Sequence, residues 1–386
     1  MSRLSELMNK LCPNGVVHKS VSEIAVISRG VRVVRNQLSD EGKYPVYQNS
    51  MTPLGYYDEC NCKAEMVFII GAGAAGEIGY SFVDFWAADD CYYFECSDEV
   101  NSRYLYYALY CQQNYILSRV RKASVPRLSR SVIEKLIVPI PPGPVQKEIV
   151  RILDSFTELT EELTEELTAR RKQYDHYRER LLTFSNDVET LKLEEIATYR
   201  RGSFPQPYGN PEWYNGDGAL PFVQVADVNE HGMLLSADTK QKISLAAQPK
   251  SVFVPSGTVV CSIQGSIGRV AITQYDCYVD RTLAIFESYK IPINKRYFAY
   301  QIQKKFGEEK ECARGSTLKT ITKEEFSEFK IPVPPLAEQE RIVSILDRFD
   351  SLCNDLTSGL PAEIGARKKQ YEYYRDKLLT FKELHT

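Results

Sequence analysis

The sequence has no apolar run long enough to span a bilayer; the longest, such as "MVFII" at 66–70, fall far short of a membrane helix. Its opening stretch, "MSRLSELMNKLCPNG", has no signal-peptide core, so a cytoplasmic location is expected. Histidine is scarce: the four (His18, His176, His231 and His385) are scattered. Of ten cysteines only Cys60 and Cys62 stand close, as C-x-C, and no second pair or histidine cluster completes a tetrahedral metal site. Reduced, mostly buried thiols are the expectation. There is no nuclease carboxylate cluster, no "GKT" or "GKS" phosphate loop and no evident Ser-His-Asp set, although triads are recognised by geometry rather than by order. An excess of positive charge is missing too: 48 Lys and Arg face 51 Asp and Glu, a net charge of −3. The whole chain does not announce nucleic acid, but an acidic helix can offset local basic patches.

What the sequence does have is itself, twice. Its 386 residues suggest two or three domains. "LIVPIPPGPVQKEIVRILDSF" (136–156) aligns with "FKIPVPPLAEQERIVSILDRF" (329–349) at an offset of 193, bringing Pro139 onto Pro332, Gln146 onto Gln339 and Asp154 onto Asp347. "ARRKQYDHYRERLLTF" (169–184) aligns with "ARKKQYEYYRDKLLTF" (366–381) at an offset of 197. Fainter matches extend upstream: "VSEIAVISRG" with "LEEIATYRRG", "YPVYQ" with "LPFVQ", and "GAAGEI" with "GSIGRV". Each half is a globular part followed by a helical part: residues 1–143, then 144–187; residues 188–336, then 337–386. The helical parts match closely and the globular parts diverge.

The globular parts are mixed α and β. Short strand-like runs ("VVHKSV", "EMVFII", "SVFV", "GTVVCSI", "RVAIT") alternate with Gly, Pro and Asn punctuation, and each half holds one helical stretch, 102–117 and 295–309. The prolines of "PIPPGP" and "PVPP" mark the exit into a long helix.

In that helix Ile149, Ile152, Phe156, Leu159 and Leu163 step by 3 and 4, Leu167 follows four on, and Arg170, Tyr174, Tyr177 and Leu181 resume the pattern. Two consecutive fours are a stutter, which unwinds a coiled coil locally without breaking its seam. The stutter falls in a four-residue repeat, "ELTEELTEELT" (158–168). The second copy has Gly359 and Pro361 at the equivalent place, a helix stop and restart. A solvated acidic helix face is the other reading of the repeat.

Two motifs fail their context. Gly71, Gly73 and Gly76 spell G-x-G-x-x-G after an apolar run, but "EIGYSFVDFW" then alternates like a strand where a dinucleotide fold needs a helix. A glycine-rich hairpin is expected. "NPEWY" (210–214) resembles the Asn-Pro-aromatic loop of adenine methyltransferases but departs from it at Glu212, and no cofactor-binding glycine motif precedes it.

Basic and amide residues fall at matching places in both halves. The first half has Arg29, Arg32 and Arg35, then Gln48, then Arg121, Lys122 and Arg127. The second has Arg200 and Arg201, then Gln224 and Gln264, then Lys304, Lys305, Arg314 and Lys319. With 25 tyrosines, this is the kit for phosphate anchoring and base-edge reading.

The tandem halves, the "PIPP…Q" and "PVPP…Q" preceding "ILD", and the twice-used "KQY…YR…LLTF" resemble the specificity subunit of type I restriction–modification systems, over nearly the whole chain. The resemblance implies two α/β target recognition domains, each reading half of a split site in double-stranded DNA. It implies two long helices packed as an antiparallel coiled coil with pseudo-twofold symmetry. It also implies a non-catalytic chain that directs two methyltransferase subunits and restriction subunits. S-adenosylmethionine, ATP and Mg²⁺ would then belong to those partners, with no cofactor here. Leu159, Leu163, Leu167, Tyr174, Tyr177, Tyr371 and Tyr374 would form the spacer and docking surface. Four-residue repeats in the first spacer helix are known in that family to vary in number and to alter the gap between half-sites. Four residues add ~6 Å and turn the helix end by ~40°, close to the ~3.4 Å and ~34° of one base pair. Two rivals remain at this level: a stand-alone adenine methyltransferase, and a protein scaffold that never reads DNA.

Overall fold

The computed structural model describes residues 2–185, 187–229, 232–312, 321–355 and 358–384. They form two compact units: Met1–Glu162 with Gly365–Thr386, and Leu163–Ile364. The dividing line falls inside the four-residue repeat, not at a loop.

In the first unit a four-stranded antiparallel sheet runs in the order Ala25–Arg29, Cys91–Cys96, Met66–Ile70, Ile78–Ser81. Beside it lies a three-stranded sheet of Tyr56–Tyr57, Tyr44–Tyr47 and Trp86–Ala87. Helix Ser102–Cys111, capped by the Asn101 side chain accepting from the Tyr104 amide, covers the larger sheet and buries Tyr104, Leu105 and Tyr107. The second unit repeats the plan. Its first sheet is ordered Ala197–Arg201, Leu283–Tyr289, Val259–Ser262, Val270–Ile272, and helix Lys295–Cys312 buries Tyr297, Phe298 and Tyr300. Its second sheet gains an outer strand, Val252–Val254, which makes four.

Each globular part is closed at its neck by two short antiparallel strands, Val17–Ser20 with Ile137–Ile140, and Thr190–Lys192 with Lys330–Pro332. The strand nearer the C-terminus leads through the prolines into a helix. The first such helix, Gly143–Leu182, runs unbroken for 40 residues. The threonines of the repeat are held within the helix, the Thr160 and Thr168 hydroxyls donating to the carbonyls of Phe156 and Thr164, four residues back. The second copy is interrupted as expected: Leu336–Asn354 ends and Leu360–Leu379 begins. Gly359 closes the turn, its amide donating to the Asp355 carbonyl at 3.1 Å. A Cβ there would lie 2.5 Å from the Ser351 carbonyl oxygen, so no larger residue fits.

The seam is satisfied within each unit. In the first, Ile149, Ile152 and Leu153 pack with Leu378 and Leu379, and Tyr371 lies against the same core. In the second, Phe349 stacks on Tyr177 at 5.5 Å and meets Tyr174 at 6.2 Å. Within the first unit residue 156 meets 374 while the earlier residues 149–153 pack with the later 378 and 379, so the two segments run antiparallel there. Leu159, Leu163 and Leu167, across the stutter, are only half-buried. Arg170 departs from the seam pattern. It is exposed, bonding Gln173 at 3.1 Å and pairing with Glu166 at 3.5 Å, because its charge stays solvated.

Candidate nucleic-acid interface

The glycine-rich stretch of the first unit is the turn of an antiparallel hairpin between Met66–Ile70 and Ile78–Ser81, not a strand-to-helix phosphate loop. Gly73 has φ +86° and Gly76 φ +90°, and a Cβ on Gly73 would sit 2.7 Å from the Asn49 carbonyl oxygen. The second unit has the same device between Val259–Ser262 and Val270–Ile272, with Gly265 at φ +77° and Gly268 at φ +80°.

Backbone bonds tie the loop that carries Gln48, the basic loop 121–127 and the turn beside Arg29 to the first hairpin. The Ala74 amide donates to the Asn49 carbonyl at 2.9 Å, fixing the loop that carries Gln48. The Gly73 amide donates to Pro126 at 3.1 Å and the Leu128 amide to Gly71 at 2.8 Å, anchoring the basic loop 121–127. That loop is closed by a reciprocal pair of backbone bonds between Arg121 and Arg127, at 2.9 and 3.2 Å, and it exposes Arg121, Lys122 and Arg127. The Gly71 amide donates to Asp90, and Arg29 Nε donates to the neighbouring Asp89 carbonyl at 2.5 Å. Arg32 is exposed next to buried Val33, which packs with Val46 and Ala88; Arg35 opens a short turn and is likewise exposed.

In the second unit Arg200 and Arg201 line a cavity of about 260 Å³ with Tyr199, Ile263, Ile321, Thr322 and Phe326. The Ile321 amide donates to the Ile263 carbonyl at 3.3 Å, as Leu128 does to Gly71 in the first unit. Arg314 and Lys319 lie outside the described residues. Gln264 is exposed at the hairpin turn. Gln224, half-buried, follows strand Leu220–Val223, and its amide donates to Asp227 at 2.8 Å.

Two members of the second cluster do other work. Lys304 pairs with Glu179 and Glu308, at 2.9 and 2.6 Å, and Lys305 with Glu308 and Glu309. Side-chain pairing on neighbouring helical turns had no trace in the charge count. Arg200 is itself paired to Glu287 at 2.6 Å. One cation escaped the sequence reading: exposed Arg281 lies over the Tyr208 ring at 4.9 Å. The Gly30 amide meets Cys91 as the Gly202 amide meets Leu283, so Arg281 occupies the place of Asp89 in the first unit. The charge at this shared place is opposite in the two halves.

The methyltransferase-like "NPEWY" is a packed turn. Asn210 caps Pro211–Trp213, Lys250 lies over the Trp213 ring at 4.7 Å, and the Tyr214 hydroxyl donates to the Tyr208 carbonyl. Among the described residues no His/Cys/Asp/Glu group is arranged to hold a metal, and no helix is long and apolar enough to cross a membrane.

The profile of the type I restriction modification DNA specificity domain matches residues 13–170 and again 185–366. A putative type I restriction enzyme specificity subunit of Haemophilus influenzae is 30% identical over 379 residues, covering 94% of this chain and 95% of its own. A type I restriction enzyme specificity subunit of Escherichia coli is 36% identical over 266 residues, 66% of this chain and 65% of its own. In fold the chain is similar to the crystal structure of a type I restriction–modification S subunit from M. genitalium, with a TM-score of 0.65 at 16% identity, over 96% of this chain and 97% of that one. Two domain matches that between them take in most of the sequence, and a relative 30% identical over 94% of it, make this chain a member of the type I restriction–modification DNA specificity family.

Proposed function

We propose that each unit reads one half of a bipartite site in double-stranded DNA, that the spacer helices set the gap, and that the chain directs methyltransferase and restriction subunits to the site. The observation that carries this reading is the recurrence of one constellation in both units. In each, the start of the glycine hairpin bonds the turn beside the arginine-bearing strand end (the Gly71 amide to Asp90, the Ile263 amide to Thr282), and an amide-bearing loop follows the matching strand. Positioned cations supply the salt-dependent attraction to phosphate, and amide and guanidinium forks supply base-edge contacts. The divergence of the globular parts around matching helices fits two different half-sites on one frame.

Catalysis belongs to the partners in this reading, along with S-adenosylmethionine, ATP and Mg²⁺. A stand-alone methyltransferase is disfavoured because the glycine motif is an antiparallel hairpin and "NPEWY" is a packed turn. The test is exchange of residues 1–143 for the corresponding part of another specificity chain, followed by genome-wide mapping of methylated bases with the partner methyltransferase. One half of the motif should change and the other should persist. Change in both halves would overturn modular reading, and S-adenosylmethionine turnover by the pure chain would overturn the division of labour.

A further inference from the structure

The necks of the two units carry the same set of side-chain bonds, although the globular parts around them have diverged. In the first unit Arg103 Nε donates to Asp154 Oδ1 at 2.9 Å and the Tyr107 hydroxyl donates to the same oxygen at 2.5 Å. In the second, Arg296 Nε donates to Asp347 Oδ1 at 2.6 Å and the Tyr300 hydroxyl donates to it at 2.9 Å. The Asn101 amide donates to Gln146 Oε1 as the Asn294 amide does to Gln339 Oε1. Tyr104 donates to the Pro139 carbonyl as Tyr297 does to that of Pro332, both at 2.9 Å. Each bond joins the helix of a globular part, or the residue that caps it, to the neck or to the spacer helix.

The proline exit explains why side chains are needed here. Pro141 and Pro142, like Pro334 and Pro335, have no backbone N–H, so no ladder of amide donors can fix this stretch. Gln146 and Gln339, both buried, instead donate to the Pro141 and Pro334 carbonyls at 2.8 Å. The arginine fork then sets rotation about the neck, because a planar guanidinium fixes direction as well as distance. Arg103 extends the link into the sheet. Its guanidinium lies over the rings of Tyr80, Phe82, Tyr106 and Tyr107 at 4.6–4.9 Å. Arg296 uses a second acid, Asp350, at 3.8 Å.

We propose that the Arg103–Asp154 and Arg296–Asp347 clasps are positioning residues that lock each globular part to its spacer helix, so that they govern selectivity for the gap between half-sites and not the choice of bases. The inference rests on the bipartite reading above. One base pair turns the duplex by about 34°, so a neck free to swivel by that order would accept a neighbouring gap.

The test uses the full chain with its methyltransferase partners and duplexes carrying both half-sites at the native gap, one base pair shorter and one longer. In Arg103→Met the preference for the native gap should fall about tenfold, as expected for loss of a charge-assisted fork, with motif bases unchanged. Arg103→Lys, which keeps the charge but not the fork, should recover part of the preference. Equal loss on all three duplexes, or a folded Arg103→Met with unaltered preference, would overturn the proposal. If Arg103→Met does not fold, Tyr107→Phe removes only one donor to Asp154 and should lower the preference about threefold; an unaltered preference there overturns it equally. A wild-type complex indifferent to the gap would instead remove the bipartite reading, and this proposal with it.

Discussion

Tyr374 stacks on Phe156, their ring centroids 5.5 Å apart and their planes 21° from parallel. A ring near the end of the chain therefore completes the first unit, and the buried Leu378 and Leu379 deepen the join. Deleting residues 365–386 should unfold the first unit and leave the second, so calorimetry should lose one transition and keep the other. Leu379→Ala should cost the first unit about 2–5 kcal/mol, the range for a truncated core leucine. A truncated chain that keeps both transitions would show that the C-terminal segment is dispensable.

The four-residue repeat offers the second prediction. Deleting Thr160–Leu163 shortens the helix by ~6 Å and rotates its far end by ~40°. Leu167 then follows Leu159 by four residues, so the apolar seam continues and the fold should survive. Methylome mapping should show both half-sites unchanged and the gap shorter by one base pair, with one added repeat lengthening it equally. An unchanged gap at full activity would leave the repeat as a solvated helix face.

Charge gives a third, graded prediction. Arg32→Ala, Arg35→Ala and Lys122→Ala should each weaken binding to all sequences and lower the salt slope by roughly 1 if they meet phosphate. Arg200→Ala should do less than Arg201→Ala, because Arg200 is already paired with Glu287. Arg281→Ala should cost ~1–3 kcal/mol and relax one position of one half-site if its guanidinium meets a base edge. Lys304→Ala, by contrast, should lower the melting temperature and leave the salt slope alone. Equilibrium binding at several salt concentrations distinguishes these cases, and a uniform response across all seven would refute the assignments.

The glycine hairpins supply a fourth. Gly73→Ala meets both a positive φ and a Cβ contact of 2.7 Å with the Asn49 carbonyl, whereas Gly265→Ala meets only the positive φ, with open space around it. Both should destabilise, Gly73→Ala the more, by upwards of about 1 kcal/mol. Denaturant melts of the two variants decide it; equal losses would mean that the approach to Asn49 carries no weight.

Features with a local cause could be read in the sequence. Heptad spacing foretold the long helix, Gly359 and Pro361 its interruption in the second copy, and the alternation after Gly76 the hairpin. The neck clasp was half visible, since Gln146 and Asp154 matched Gln339 and Asp347 at one offset. Their partners Asn101, Arg103, Tyr104 and Tyr107 match Asn294, Arg296, Tyr297 and Tyr300 at the same offset of 193, but they lie some fifty residues upstream, and only folding shows that Arg103 reaches Asp154. The pairing of Lys304 and Lys305 with glutamates was equally hidden, because a charge count cannot see which charges meet. Nor could any local pattern announce that Tyr371 and Tyr374 complete the first unit, for that is a contact between opposite ends of the chain.

The division of the first unit into two chain segments also sets an order in time. Residues 1–162 leave the ribosome first, but the segment that completes their core begins at Gly365. At roughly 5–20 residues per second the wait is on the order of 10–40 s. The second unit, continuous from Leu163 to Ile364, has all its residues before the first has its last helix. The half of the protein that is made first is thus the half that is finished last, and in the interval the face of Ile149, Ile152 and Leu153 awaits Leu378 and Leu379. A nascent chain stalled short of its end would carry one closed unit and one open one.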